Sequence, residues 1–187
     1  MSVHRLEWTQ FVPISIEEAW RFFSDPHNLA TLTPPDMGFE VTSHVAPNMY
    51  AGMLIPYRVR PLLGIPTRWL TEITHVEPRR FFVDEQRRGP YRLWHHEHHF
   101  AAVPGGVEMR DLVHYELPFG PLGDVVERLV VRPRIEGIFA YRKRVLAGRF
   151  GSGTPAGPTE HVAESSPRSV RPADGPAGSA PVGSGPA

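Results

Sequence analysis

The densest run of chemistry-bearing side chains in this chain is His95-His96-Glu97-His98-His99. In an extended backbone, successive side chains point to opposite faces. One face then carries Trp94, His96, His98 and Phe100, and the other carries Leu93, His95, Glu97 and His99. Imidazole titrates near neutral pH, so a pair on one face can move protons, orient a ligand or bind a metal ion. His-x-His on a strand supplies two ligands of a zinc site and needs a third. Asp111 is a candidate third ligand for the inner pair, and His114 for the outer set. Neither completes a recognised spacing, and no Glu stands in the helical His-Glu-x-x-His arrangement of zinc hydrolases. The sequence therefore assigns no metal site and no cofactor. The chain has no cysteine, which excludes thiolate ligands, disulfides and cysteine nucleophiles.

Asp111 sits in a second alternating segment, Val107 to Leu117. Met109, Asp111, Val113, Tyr115 and Leu117 share one face; Glu108, Arg110, Leu112, His114 and Glu116 share the other. The apolar set belongs inside. By the same argument Met53, Ile55, Tyr57 and Val59, then Trp69, Thr71 and Ile73, form inward rows. The inner wall is thus large and apolar, with Tyr57, His96, His98, Asp111 and Tyr115 as polar exceptions. Buried polar groups need partners. Here they bond one another and trapped water, or they orient the carbonyl or hydroxyl of a ligand. The candidate ligand-binding set is Tyr57, Trp69, Trp94, His96, His98, Asp111, Val113, Tyr115 and Ile138. His96, His98 and Asp111 are the candidates for acid–base catalysis. The face of Glu85 stays open, because it depends on the length of the turn at Gly89-Pro90.

These rows must be held by specific elements. Val3 to Val12 reads as a first strand. Ser15 followed by Glu18 is a capping box, and it starts a short helix with Ala19, Trp20 and Phe23 on its apolar face. Asp25-Pro26 opens a second short helix, which ends before Pro34-Pro35. From Gly38 to Leu117 the period is two, with expected strands Phe39–Val45, Met53–Arg60, Arg68–Val76, Phe81–Arg88, Tyr91–Ala101 and Val107–Leu117. Their short, turn-forming links imply hairpins and an antiparallel sheet. Leu122 to Phe150 reads as one long helix. Its first half has Leu122, Val125, Val126, Leu129 and Val130 on one face; Ile135, Ile138, Phe139, Val145 and Leu146 continue the stripe after a phase shift. Pro133 lacks an N–H and crowds the carbonyl of Leu129, so a bend is expected there. The far face is basic: Arg128, Arg132, Arg134, Arg142, Lys143, Arg144 and Arg149.

The chain has 187 residues, of which 41% are hydrophobic, enough for one domain with a sizeable core. Lys+Arg and Asp+Glu number 20 each, so no global basic field favours nucleic acid. No apolar run approaches the roughly 20 residues that cross a bilayer. The polar start, Met1 to Gln10, lacks the apolar core of a signal peptide, and a cytoplasmic setting is expected. Composition changes after Phe150. Between Gly151 and Ala187, 26 of 37 residues are Gly, Pro, Ser or Ala. Such a segment buries too little to offset its ordering entropy, so residues 151–187 are expected to form a disordered tail after a domain of residues 1–150.

The order of strand, two short helices, six antiparallel strands and long helix resembles the START-like, or SRPBCC, superfamily. Phe11-Val12-Pro13-Ile14-Ser15-Ile16-Glu17-Glu18-Ala19-Trp20, continuing to Ser24-Asp25-Pro26, resembles its opening. The segments Phe82–Gln86, Gly89–His96, Tyr115–Gly123 and Ile138–Arg142 resemble a bacterial subfamily of ligand-binding, polyketide cyclase/dehydrase-like proteins. The resemblance covers residues 1 to 150. It implies an α+β helix-grip fold: a seven-stranded curved antiparallel sheet wrapped around a long C-terminal helix, with two short helices after the first strand. It also implies an internal cavity for a small hydrophobic or aromatic ligand of lipid, quinone, polyketide or isoprenoid type. Two other functions fit the same residues. One is a cyclase or dehydratase using His, Asp and Tyr; the other is a protein-interaction or stress-adaptor module using the basic helix face and the tail. Related domains occur joined to short-chain-dehydrogenase-like domains, which makes an oxidoreductase a candidate partner.

Overall fold

The computed structural model describes residues 2–61, 64–118 and 121–154. Seven strands form a single antiparallel sheet in the order β1-β7-β6-β5-β4-β3-β2. They are β1 (His4–Val12), β2 (Glu40–Val41), β3 (Met53–Val59), β4 (Thr67–Glu77), β5 (Phe81–Arg88), β6 (Leu93–Val103) and β7 (Gly106–Glu116). Every strand from β2 to β7 pairs with its sequence neighbour, and β1 returns to pair with β7. The long C-terminal helix then packs on the concave face. This is the helix-grip architecture. Of the tail expected from Gly151 onward, residues 155–187 lie outside the described residues. No helix among the described residues is long and apolar enough to cross a membrane.

Between β1 and β2 the caps act as the sequence implies. Ser15 Oγ accepts from the Glu18 N–H and starts α1 (Ile16–Phe23). Asp25 accepts from the His27 N–H and opens a 3₁₀ turn that leads into α2 (Leu29–Leu32). Helix α1 buries Ala19, Phe22 and Phe23, while Trp20 packs edge-on against Phe82 and Phe100.

Two expectations need correction. The strand foreseen over Phe39–Val45 is only Glu40–Val41. Its partner explains this. Val41 pairs with Tyr57, so the next rung falls on Pro56, which has no N–H to give. Thr42 still donates to the Pro56 carbonyl, and the ladder stops there.

The second correction concerns the start of the long helix, which comprises α3 (Pro121–Val126), a π-helical turn (Glu127–Val131) and α4 (Arg132–Phe150). The stripe of Val125, Val126, Leu129 and Val130 does not face the sheet as a unit. Val125 and Leu129 are 49% and 71% exposed, whereas Glu127 and Val131 are buried. The widened turn ends two residues before Pro133, where an i→i−4 bond to the Leu129 carbonyl has no donor. The extra residue in the turn rotates the phase, so that Val131 and Ile135 align with Phe139 and Leu146. Glu127 is drawn inward by Tyr115, whose hydroxyl donates to it at 2.6 Å, and by Arg132 at 2.8 Å.

The hairpin joining β6 to β7 fixes one end of the sheet against β1. A Cβ added at Gly106 would lie 2.3 Å from the Val12 carbonyl oxygen and 2.8 Å from the Phe11 ring. Neither backbone can retreat without breaking the β1–β7 ladder. Gly106→Ala is therefore expected to destabilise the fold by about 1–3 kcal/mol, read as a lower urea midpoint. An unchanged midpoint would show that the β1 end yields freely.

Candidate functional site

Between the concave sheet and α4 lies a cavity of about 190 Å³. Alternation along the strands builds its walls. Strands β3 and β4 contribute Tyr57 and Trp69, β6 contributes Trp94, and α4 contributes Ile138 and Phe139. Tyr91 closes one side. Its backbone is clamped by Gln86, whose amide donates to the Tyr91 carbonyl at 2.6 Å and accepts from its N–H at 3.2 Å. Trp69 stands edge-on to both Tyr91 and Trp94, with ring centroids 5.6 Å apart in each pair.

One wall is polar. His96 and His98 point inward from β6 and are each 7% exposed. Asp84 reaches them from β5, because the register pairs Asp84 with His96 and Glu85 with His95. Asp111 reaches them from β7, directly opposite His98. Each imidazole is bracketed by both carboxylates. His98 Nε2–H donates to Asp84 Oδ2 at 2.8 Å, and His96 Nε2 is bonded to Asp111 Oδ1 at 3.1 Å. The other nitrogens lie close as well: His96 Nδ1 is 3.4 Å from Asp84 Oδ2. His98 Nδ1 is 2.9 Å from Asp111 Oδ1, but out of line for a hydrogen bond. Arg142 completes the group from α4 by donating to Asp111 Oδ1 at 3.0 Å. Phe82 stacks on His98 at 4.2 Å and Phe139 meets His96 edge-on at 5.7 Å, so the polar wall is packed in aromatic rings.

Burial and charge oppose each other here. Burial pushes the Asp111 carboxyl up, but the Arg142 guanidinium and the two imidazoles more than offset this, so it is held well below the ordinary carboxylate range. For Asp84, burial likewise raises the pKa, and the charge and hydrogen bonds of His96 and His98 bring it below the ordinary value. Burial depresses His96, yet Asp84 and Asp111 win and raise it above the ordinary 6.5. The cluster thus favours two carboxylates, a guanidinium and an imidazolium: two negative charges against two positive. Buried ions persist when they are paired in this way. Elsewhere in the cavity, burial raises the Tyr57 hydroxyl far above its ordinary value, although a 3.2 Å bond to Thr71 works the other way. Tyr57 is a neutral hydrogen-bonding group across the working pH range. Among the described residues, the Trp69 Nε1 and Arg142 Nε protons are buried without a protein acceptor.

Of the residues singled out from sequence, Tyr57, Trp69, Trp94, His96, His98 and Ile138 line the cavity. Asp111, Val113 and Tyr115 do not. Asp111 stands behind the two histidines. Val113 and Tyr115 are fully buried on the same face, with Tyr115 engaged by Glu127. Placing a residue on the inner face does not place it at the cavity, because the π-helical turn and α4 cover that end of β7. Glu85 is resolved as outward: it accepts from His95 at 3.0 Å, on the face that also carries Glu97 and His99.

Two site residues escaped the sequence reading. Asp84 did so because its face depended on the length of the β5–β6 link. Helical periodicity places Arg142 on the basic face away from the apolar stripe, yet it is 8% exposed and aims at Asp111. The rest of that basic face is also less free than expected. Arg132 is tied to Glu127, and Arg134 to Asp36 and the Pro61 carbonyl.

Solved structures with the same fold come from distant organisms. Protein CV1439 from Chromobacterium violaceum superimposes with a TM-score of 0.60 at 14% identity, covering 80% of this chain and 99% of its own. Major latex-like protein 151 from Panax ginseng gives 0.59 at 11% identity, covering 79% and 97%. TTHA0849 from Thermus thermophilus gives 0.57 at 16% identity, covering 79% and 97%. At these identities the likeness establishes the fold alone. No protein-family model matches the chain, and no curated protein matches it.

Proposed function

We propose that this protein binds a small aromatic or compact apolar molecule bearing one polar group, with its ring between Trp69, Trp94 and Phe139 and its polar end at His96 and His98. The observation that carries this reading is the cavity itself, apolar and aromatic on most sides and polar on one. Its volume of about 190 Å³ is close to that of a roughly 150 Å³ engineered cavity that takes up benzene. That size favours one or two fused rings over a diacyl lipid. Within the ligand types that the family resemblance implies, it selects compact quinones, phenols and small polyketide- or isoprenoid-derived rings. The test is native mass spectrometry of gently purified full-length protein. The expected result is a retained adduct of that size, released by denaturation. A bound long-chain lipid would overturn the size argument.

A second reading is enzymatic. It is favoured by the two histidines that face the cavity while held by two carboxylates, an arrangement that suits proton transfer to a bound molecule. His98→Gln distinguishes the two. Under the binding reading it weakens ligand affinity by about 1–2 kcal/mol, the worth of a buried hydrogen bond. Under the enzymatic reading it removes turnover by roughly 10²–10⁴-fold while binding persists.

A further inference from the structure

We propose that Asp84, His96 and His98 form a binding site for one divalent transition-metal ion, with Asp111 orienting the two imidazoles from behind. His96 Nδ1 and His98 Nε2 lie 3.4 Å and 2.8 Å from the same Asp84 oxygen. The donor atoms of all three residues fall within 4.8 Å of one another. Metal–ligand bonds of about 2.0–2.2 Å place neighbouring donors about 3.0–3.5 Å apart, so small rotations of these side chains suffice.

The surroundings match what a metal site needs. A metal-bound imidazole commonly gives its other N–H to a carboxylate, which fixes the ring and strengthens the donor. Asp111 Oδ1 is bonded to His96 Nε2 at 3.1 Å; it lies 2.9 Å from His98 Nδ1, where a rotation of the ring is needed to bring that N–H into line. Arg142 in turn holds Asp111 at 3.0 Å. The third ligand was invisible in the histidine run because it comes from β5. Two imidazoles and one carboxylate suit zinc, iron, cobalt or nickel and disfavour calcium and magnesium, which prefer all-oxygen shells. Asp84, His96 and His98 all line the cavity, so the remaining coordination positions face a bound molecule. With two carboxylates, one guanidinium and neutral imidazoles, a divalent ion leaves the cluster one charge positive. The open positions would take water or an oxygen donor of a bound molecule, and the net positive charge favours an anionic one. Metal binding depends on side-chain geometry and not on the apolar ligand proposed above, so the two stand or fall separately.

The test is titration of chelator-treated full-length protein with Co²⁺, followed by visible absorption and calorimetry. The expected result is one Co²⁺ per chain with ligand-field bands, at least 100-fold weaker in His98→Gln and in Asp84→Asn, each shown by circular dichroism to be folded. A His95→Gln/His99→Gln double variant on the outer face should bind like the parent. Either Asp84→Asn or His98→Gln suffices if the other does not fold. Absence of stoichiometric Co²⁺ uptake would overturn the proposal. So would uptake that survives the inner variants, or that disappears only with the outer pair.

Discussion

Ile138→Trp is expected to abolish uptake of small aromatic probes, raising the dissociation constant at least 100-fold, while the protein stays folded. Ile138 is partly buried on α4 and lines the cavity opposite the aromatic strand residues. A larger ring at this position has two places to go. Turning inward, it occupies the space a ligand would fill and exchanges empty volume for contacts, which commonly stabilises a fold. Turning outward, it leaves the cavity intact. The neighbouring Phe139 is already stacked on Trp8 at 3.7 Å, which restricts the room on that side of the helix. A 100-fold loss corresponds to about 2.7 kcal/mol, within reach of excluding one ring from an apolar site. Binding curves from intrinsic fluorescence, with thermal melts of both proteins, check this. Unchanged affinity in a folded Ile138→Trp protein would show that probes bind elsewhere. The same substitution at Val113 is expected to damage packing instead, because Val113 is fully buried away from the cavity.

The second large effect concerns Arg142. Arg142→Met is expected to cost about 3–5 kcal/mol of stability, because it strands the buried Asp111 carboxylate without its cation. Asp111→Asn in that background should restore part of the loss, a coupling that a double-mutant cycle in urea resolves. If the two losses simply add, the pair does not act as a unit. The same cluster sets a pH dependence in metal-free protein. Asp84 and Asp111 titrate lower folded than unfolded, so their contribution is complete above the unfolded value of 3.8 and is lost as pH falls through the folded values. His96 titrates higher folded than unfolded. Its contribution is complete below 6.5 and is lost as pH rises through the folded value. Unfolding free energy should therefore be greater at about pH 5.5 than at about pH 8, and His96→Gln should flatten the difference. Stability that rises over this interval would contradict the charge assignment.

How far the sequence reaches is clear from particular residues. The inward rows of β3, β4, β6 and β7 were legible because period-two alternation leaves no choice once one face is apolar. The capped short helices were legible because Ser15 and Asp25 act locally. Asp84 was not, because its face depended on a register fixed by the four residues between β5 and β6. Arg142 was not, because helical periodicity read from hydropathy treats every arginine as a surface residue. Only its partner, Asp111 on β7, offsets the cost of burying it. The helix phase around Val125 and Leu129 was misread for a related reason: a π-helical turn adds a residue, and a fixed 3.6-residue period cannot represent it.

Uptake of a small ring by the cavity from solution can be tested directly by one titration. Trp69 and Trp94 both line the cavity, so a ligand entering it must change their fluorescence. Full-length protein titrated with a panel of one- and two-ring phenols and quinones should show saturable quenching at one molecule per chain. The same panel should leave Ile138→Trp unquenched beyond the collisional background. Quenching that never saturates, or that is identical in the two proteins, would contradict the assignment of this cavity as a binding site.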